Sequence, residues 1–278
     1  MKTRILTALV MAVVGIPLLI FSQYIIYPIA AGVLAVFALY EMAGVIGIRK
    51  NLALTLPTYL IALATPIFAY FFSDRVTDFI FGALLVIIAV LLYLFGYAVA
   101  RRGEVSFSDI ATHFTTFTYI TVAFTAITLV RYLPNGVYYF ALVFVGSWVS
   151  DVFAYFVGRA IGRHKMIPEI SPKKTWEGAV GGVFFTVVAF LVYGIIISLV
   201  TTDIRPNYIV LAILGLVLSI VSIFGDLIAS LIKREHGVKD YSNLLPGHGG
   251  IMDRFDSILA VSTILLILCL VVPPIIIV

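Results

Sequence analysis

Charge is what this sequence has least of. Its 278 residues include 18 Lys or Arg and 14 Asp or Glu, 12% of the chain, against 62% hydrophobic residues. Soluble domains carry about 25% charged and about 45–50% apolar residues. The shortfall excludes an ordinary water-soluble globule, and a mean hydropathy of +1.15 excludes a disordered chain. Cysteine is nearly absent: the single Cys269, in an apolar run, can form no internal disulfide, which excludes a secreted disulfide scaffold and reads as a buried thiol. Only four histidines occur, none at zinc-ligand spacing. No internal repeat, low-complexity linker or basic tract for nucleic acid is present.

What remains is a series of apolar runs, each near the ~20 residues needed to cross a bilayer. Nine are read: Ile5–Ser22, Tyr24–Ile46, Leu52–Phe72, Phe79–Val99, Ala111–Val130, Gly136–Val157, Ala179–Val200, Tyr208–Ile228 and Ser257–Ile277. The first resembles a signal peptide, since Lys2 and Arg4 precede it. No small-residue cleavage site follows, so a retained helix is expected, with Pro17 and Pro28 kinking it or marking its break from the second. The fold class is an all-α, polytopic transmembrane bundle. With nine spans, fifteen of the 18 basic residues, including Arg101 and Arg102, fall on the side of the N-terminus, and only Arg75, Arg131 and Arg205 fall opposite. The positive-inside rule then makes the N-terminus cytoplasmic.

Polar residues are concentrated late in the chain. Residues 1–140 read as a nearly plain series of apolar helices joined by short loops. Residues 141–278 hold the two long cytoplasmic loops, 159–178 and 230–256, and most of the chemistry-bearing residues. Loops this long in a compact bundle usually carry function.

The second loop interleaves the cations Lys233, Arg234, Lys239 and Arg254 with the acids Asp240, Asp253 and Asp256, around Pro246-Gly247-His248-Gly249-Gly250. Glycine lets backbone amides approach a ligand closely. Asp253 and Asp256, three apart at a helix start, can share a face. Hard carboxylate oxygens beside a basic, glycine-rich loop suit a Mg²⁺–phosphate site. A solvated juxtamembrane loop accounts equally for the Lys and Arg, but not for acids at an embedded helix start. Asp226 and Asp151 lie inside spans, near their cytoplasmic ends, where an acid needs a partner or a cavity. A divalent-metal pocket would use them; the plainer alternative pairs each with a nearby Arg.

In the first loop, Ser171-Pro172 reads as the cap and first turn of a helix, which would put Lys173 and Lys174 at its anion-favouring end. A basic loop against anionic headgroups is the alternative. Gly178, Gly181 and Gly182 would let that helix pack closely on a neighbour. Glu41, late in the second span, is expected to snorkel to the interface rather than line a lipid cavity. His164 and His236 read as interfacial, and His113 lies outside the motifs.

The residues Ser230, Lys233, Arg234, Lys239, Asp240, Ser242, Pro246, His248, Gly249, Gly250, Asp253, Arg254 and Asp256 together resemble the signature of the CDP-diacylglycerol synthases, or phosphatidate cytidylyltransferases. The stretches Asp151–Arg163 and Ile170–Gly178 are similar to the same family; residues 1–140 resemble it in hydropathy alone. The resemblance implies transfer of a cytidylyl group from CTP to phosphatidate at the cytoplasmic face of the cell inner (plasma) membrane. It implies Mg²⁺, with a second cation such as K⁺ beside it, and a homodimer. Asp226, Asp253 and Asp256 are the expected metal ligands, with Asp151 and Lys239 also catalytic. Ser230, Lys233, Arg234, Asp240, His248, Gly249, Gly250, Arg254, Lys173 and Lys174 are the expected substrate-binding set. The chemistry needs no protein nucleophile, because a phosphomonoester is already largely dianionic at neutral pH. His248 therefore reads as a phosphate donor or loop-shaping residue rather than a base. A transporter would instead show repeat symmetry and mid-membrane polar residues. A related CTP-using enzyme acting on an ether lipid or a polyprenol shares most of these features.

Overall fold

A computed structural model of the chain describes residues 2–101, 104–201, 204–271 and 276–277. Arg102 and the end of the ninth expected run, residues 272–275, lie outside the described residues. Among the described residues, nine helices are long and apolar enough to cross a membrane. Most starts and ends fall within a few residues of the apolar runs, because length and hydropathy are local signals. The exceptions are the eighth span, which runs on to Glu235, and the ninth, which begins at Met252, so the expected loop 230–256 is helical at both ends and shortens to 236–251. The break after Pro17 comes at residues 21–25, while Pro28 sits harmlessly in the first turn of the next helix.

Two compact units make up the chain. The first holds residues 1–133 and 235–255. Its helices are α1 (Lys2–Ile20), α2 (Ile26–Val45), α3 (Leu52–Phe71), α4 (Val76–Ala100) and α5 (Phe107–Tyr132). At its centre is α5: 72% of its apolar window is buried, against 11% for α4 and 6% for α1. Phe117, Ile120 and Phe124 of α5, Leu39 and Met42 of α2 and Leu54 of α3 are all buried, and α5 packs against both α2 and α3. Small residues set the helix spacing, as expected where lipid tails remove the hydrophobic incentive to associate. A Cβ on Gly32 of α2 would collide with the backbone of Leu63 in α3. Outward faces carry large apolar side chains instead, such as Leu85 and Leu92 of α4. A capping box between Ser106 and Asp109 starts α5. At its other end Arg131 Nε donates to Ser22 Oγ at 2.7 Å and Tyr132 Oη to Ser22 O at 2.9 Å, which ties down the α1–α2 turn.

The second unit holds residues 134–234 and 256–278. It comprises α6 (Gly136–Phe144), a π-turn at Val145–Val149, α7 (Ser150–Ile161), the strands β1 (Lys165–Ile167) and β2 (Ser171–Thr175), α8 (Trp176–Val200), β3 (Arg205–Pro206), nearly all of α9 (Tyr208–Glu235), most of α10 (Met252–Val271) and β4 (Ile276–Ile277). β1 and β2 form an antiparallel hairpin, and β3 pairs with β4. The expected close packing by glycines occurs between α7 and α8. A Cβ on Gly178 would meet Ala154 O at 2.6 Å, and one on Gly182 would meet Ser150 O at 2.8 Å.

The start of α8 differs from the sequence expectation. Ser171 and Pro172 are strand residues, and the cap is Thr175, whose Oγ1 accepts from Gly178 N at 3.2 Å. Pro172 fits a two-stranded hairpin because an edge strand tolerates a missing N–H. Lys173 and Lys174 therefore alternate across a strand instead of occupying a helix end.

Candidate active site

Three carboxylates from three spans gather in the second unit: Asp151 on α7, Asp226 on α9 and Asp256 on α10. Each is near enough to the others to repel them. Gly225 makes this approach possible, since a Cβ there would meet Asp256 O at 2.8 Å and Ala260 Cβ at 2.9 Å. Lys174 Nζ reaches in from β2, pairing with Asp226 Oδ2 at 2.8 Å and donating to Ile223 O at 3.2 Å. Lys233, almost buried, attracts Asp256. Hydroxyls complete the ring: Ser257 Oγ donates to Asp151 Oδ2 at 3.2 Å, and Ser230 Oγ to Asp226 Oδ1 at 3.3 Å. Strand alternation sends Lys173 to the other face, where it is exposed. Arg234 Nε donates to Ile170 O at 3.3 Å, joining the end of α9 to the segment before β2.

Segment 235–255 of the first unit, the loop between α9 and α10 with the first turn of α10, is built around two different carboxylates. Asp253, 9% exposed, accepts from Tyr241 N at 2.8 Å and Gly250 N at 3.0 Å. Glu41, on α2 and 3% exposed, accepts from Ser242 Oγ at 2.6 Å and from Ile251 N and Met252 N at 2.9 Å each. The glycines serve these contacts. Gly249 has φ +84°, and a Cβ on it would meet Asp253 Oδ2 at 2.8 Å; a Cβ on Gly250 would run into the Glu41 carboxylate. Four backbone amides in and beside the glycine loop are thus engaged by the chain's own acids. Leu245 N donates to Gly249 O and His248 N to Leu245 O, closing the turn. His248 Nδ1 is buried without a hydrogen-bond partner among the described residues. Lys239, Asp240 and Arg254 are exposed.

Of the expected metal set, Asp226 and Asp256 stand together with Asp151, whereas Asp253, in the first turn of α10, falls in the other unit. Among the described residues, no three His, Cys, Asp or Glu stand at ready ligating spacing. The chemistry of the donor set nonetheless fits a hard divalent cation: three carboxylates with Lys174 and Lys233 as the cations acting on them leave an excess of negative charge. Glu41 does not snorkel to the interface as expected. Its carboxylate turns into the protein because the amides of α10 solvate it there. An acid within an apolar span is the signal that marked it; its partners, more than 200 positions away, are not visible in the sequence. Ser257 was likewise missed.

A polytopic helical membrane protein with a carboxylate–lysine site where spans meet is the class that the fold and site define. The model of the cytidylyltransferase family matches residues 2–272, and the chain belongs to that family. It is 34% identical to the phosphatidate cytidylyltransferase of Staphylococcus haemolyticus over 270 residues, covering 96% of this chain and 98% of that protein. The Bacillus subtilis phosphatidate cytidylyltransferase is 34% identical over 272 residues, 94% of each chain. The Staphylococcus aureus protein of the same name is 33% identical over 270 residues, 96% of this chain and 98% of that one.

Proposed function

We propose that this chain is a phosphatidate cytidylyltransferase, transferring the cytidylyl group of CTP to phosphatidate to give CDP-diacylglycerol and pyrophosphate. The observation that carries the reading is the meeting of Asp151, Asp226 and Asp256 with Lys174, within a chain related over nearly its whole length to enzymes of that name. A phosphatidate oxygen attacks the α-phosphorus of CTP; the new P–O bond forms as the bond to the β-phosphate oxygen breaks, and pyrophosphate leaves. The nucleophile arrives already charged, so no side chain has to take a proton from it. The barrier lies in bringing two polyanions together in line.

Mg²⁺ would be held by Asp226 and Asp256 with Asp151 beside them; Asp253 enters the same proposal on the family signature alone. A bound divalent cation supplies charge neutralisation and alignment of phosphate oxygens, and a second cation such as K⁺ is part of the proposal. Lys174, released from Asp226, and Lys173, Lys233, Arg234, Lys239 and Arg254 provide positive charge for the two substrates, with Lys239 and Arg234 assigned to the CTP triphosphate. Because Asp253 and Glu41 already engage four amides in and beside the glycine loop, the substrate phosphates are met mainly by side chains. Phosphatidate enters from the bilayer, since drawing its acyl chains into water costs about 0.8 kcal/mol per methylene. We place the N-terminus and the site on the cytoplasmic side of the plasma membrane and the enzyme in a homodimer, with no nucleic-acid partner.

The test is direct: purified protein with labelled CTP, phosphatidate and Mg²⁺ should release pyrophosphate and form a liponucleotide. Inertness with phosphatidate but turnover of another lipid phosphate would reassign the substrate.

A further inference from the structure

The first two residues before α10 are Gly250 and Ile251, neither of which has a side chain able to cap a helix. A helix start leaves its first amides without intrahelical partners, and their burial without acceptors is costly. Here the cap comes from another span. Glu41 Oε1 accepts from Ile251 N and Oε2 from Met252 N, both at 2.9 Å. Its negative charge also suits the positive end of the helix. The same Oε1 takes the hydroxyl of Ser242 at 2.6 Å, and Ser242 Oγ in turn accepts from Leu244 N at 3.0 Å. One carboxylate on α2 thus fixes where α10 begins and the path of the loop before it. Asp253 is the next residue of α10 after Met252, and Asp256 follows one turn later.

We propose that Glu41 is a positioning residue of the transferase: acting through the amides of Ile251 and Met252 and the hydroxyl of Ser242, it holds loop 241–252 and the start of α10 in the register that catalysis requires. This rests on the cytidylyltransferase reading above. A small misplacement of reacting groups is expensive in rate, about 100-fold for an ångström. A residue of this kind should therefore affect turnover more than substrate affinity.

Glu41→Ala and Glu41→Gln, purified in detergent and confirmed as monodisperse folded protein, distinguish this from a purely structural role. Glu41→Ala is expected to lower kcat per folded molecule by about 100-fold while the KM values for CTP and phosphatidate stay within about threefold. Glu41→Gln, which retains one acceptor for Ser242 and Ile251 but offers a donor to Met252 N, should fall between it and the parent. Hydrogen exchange of peptides covering 240–252 should quicken by about tenfold in Glu41→Ala, as for a lost helix cap, with other spans unchanged. Unchanged exchange in that segment overturns the proposal. So does a folded fraction that keeps the parental kcat, whatever the yield. If the parent chain itself transfers no cytidylyl group, the functional reading falls, and the exchange measurement, which needs no substrate, still decides the clamp.

Discussion

Acidic side chains do opposite work in the two units. In the first, Glu41 and Asp253 are nearly buried, and each carboxylate is met by two backbone N–H groups. A buried charge solvated in this way is structurally settled. In the second, Asp151, Asp226 and Asp256 repel one another, with Lys174 directly paired to Asp226 alone. Repulsion of that kind should cost stability, and added positive charge should relieve it. Residue type is similar in the two places; what differs is how much the backbone supplies, two N–H groups to each of Glu41 and Asp253 against one, Ser257 N at 2.8 Å, to Asp256. An acid satisfied by amides holds shape, while acids facing one another are, on the proposed reading, where a cation would bind.

The sharpest way to break this contrast is Asp256→Asn. It leaves size and shape nearly unchanged but removes one of three mutually repelling charges. Turnover should fall by about 1,000-fold or more, on the scale of losing a principal electrostatic group. Stability in detergent without divalent cation should hold or rise by about 1 kcal/mol, the usual trade between a strained site and the fold. Added Mg²⁺ should then give a smaller increase in thermal midpoint than in the parent. A variant that turned over normally at saturating Mg²⁺ would remove Asp256 from the metal assignment.

Asp253→Ala probes the other side of the contrast. It strips the acceptor from Tyr241 N and Gly250 N. Leaving such buried groups unsatisfied costs about 2 kcal/mol, so the thermal midpoint should drop where that of Asp256→Asn does not. Equal stability of the two variants would erase the distinction drawn here. A third variant, Lys239→Ala, removes an exposed cation from the loop and should leave the fold untouched. Steady-state kinetics should show the KM for CTP rising about tenfold, roughly 1.4 kcal/mol of lost phosphate attraction, with the phosphatidate KM changing less. The reverse pattern would reassign Lys239 to the lipid phosphate.

The sequence made the spans legible because a run of apolar residues long enough to cross a bilayer is a local property; α3 begins at Leu52 in both readings. The start of α8 was not legible. Ser171-Pro172 is a sound helix opening by local rules, but Lys165–Ile167 pairs with Ser171–Thr175, and that pairing decides the outcome. The nearness of Asp226 and Asp256 could be anticipated from their places at span ends, together with Gly225 beside Asp226. Glu41 could be flagged only as an unusual acid, since its partners Ser242, Ile251 and Met252 come after six further spans. The glycines were expected to let a ligand approach the loop; what approaches Gly249 and Gly250 is the chain's own carboxylates.

Glu177 gives the finest test of the contrast, because it places an amide-satisfied acid inside the second unit. It lies in the first turn of α8, and its carboxylate accepts from Arg163 N at 3.1 Å and His164 N at 3.2 Å, with His164 Nδ1 at 2.5 Å. By partner it belongs with Glu41 and Asp253; by position it belongs with the repelling acids. If the partner decides the role, Glu177→Gln should leave kcat and the Mg²⁺ response as in the parent and lower the thermal midpoint slightly. The drop should be smaller than for Asp253→Ala, because solvent at the His164 side screens the lost charge. Thermal unfolding in detergent with and without Mg²⁺, beside the transfer assay, reads both quantities in one preparation. A large loss of turnover with stability intact would mean that location in the second unit, and not the backbone partner, separates the two kinds of acid.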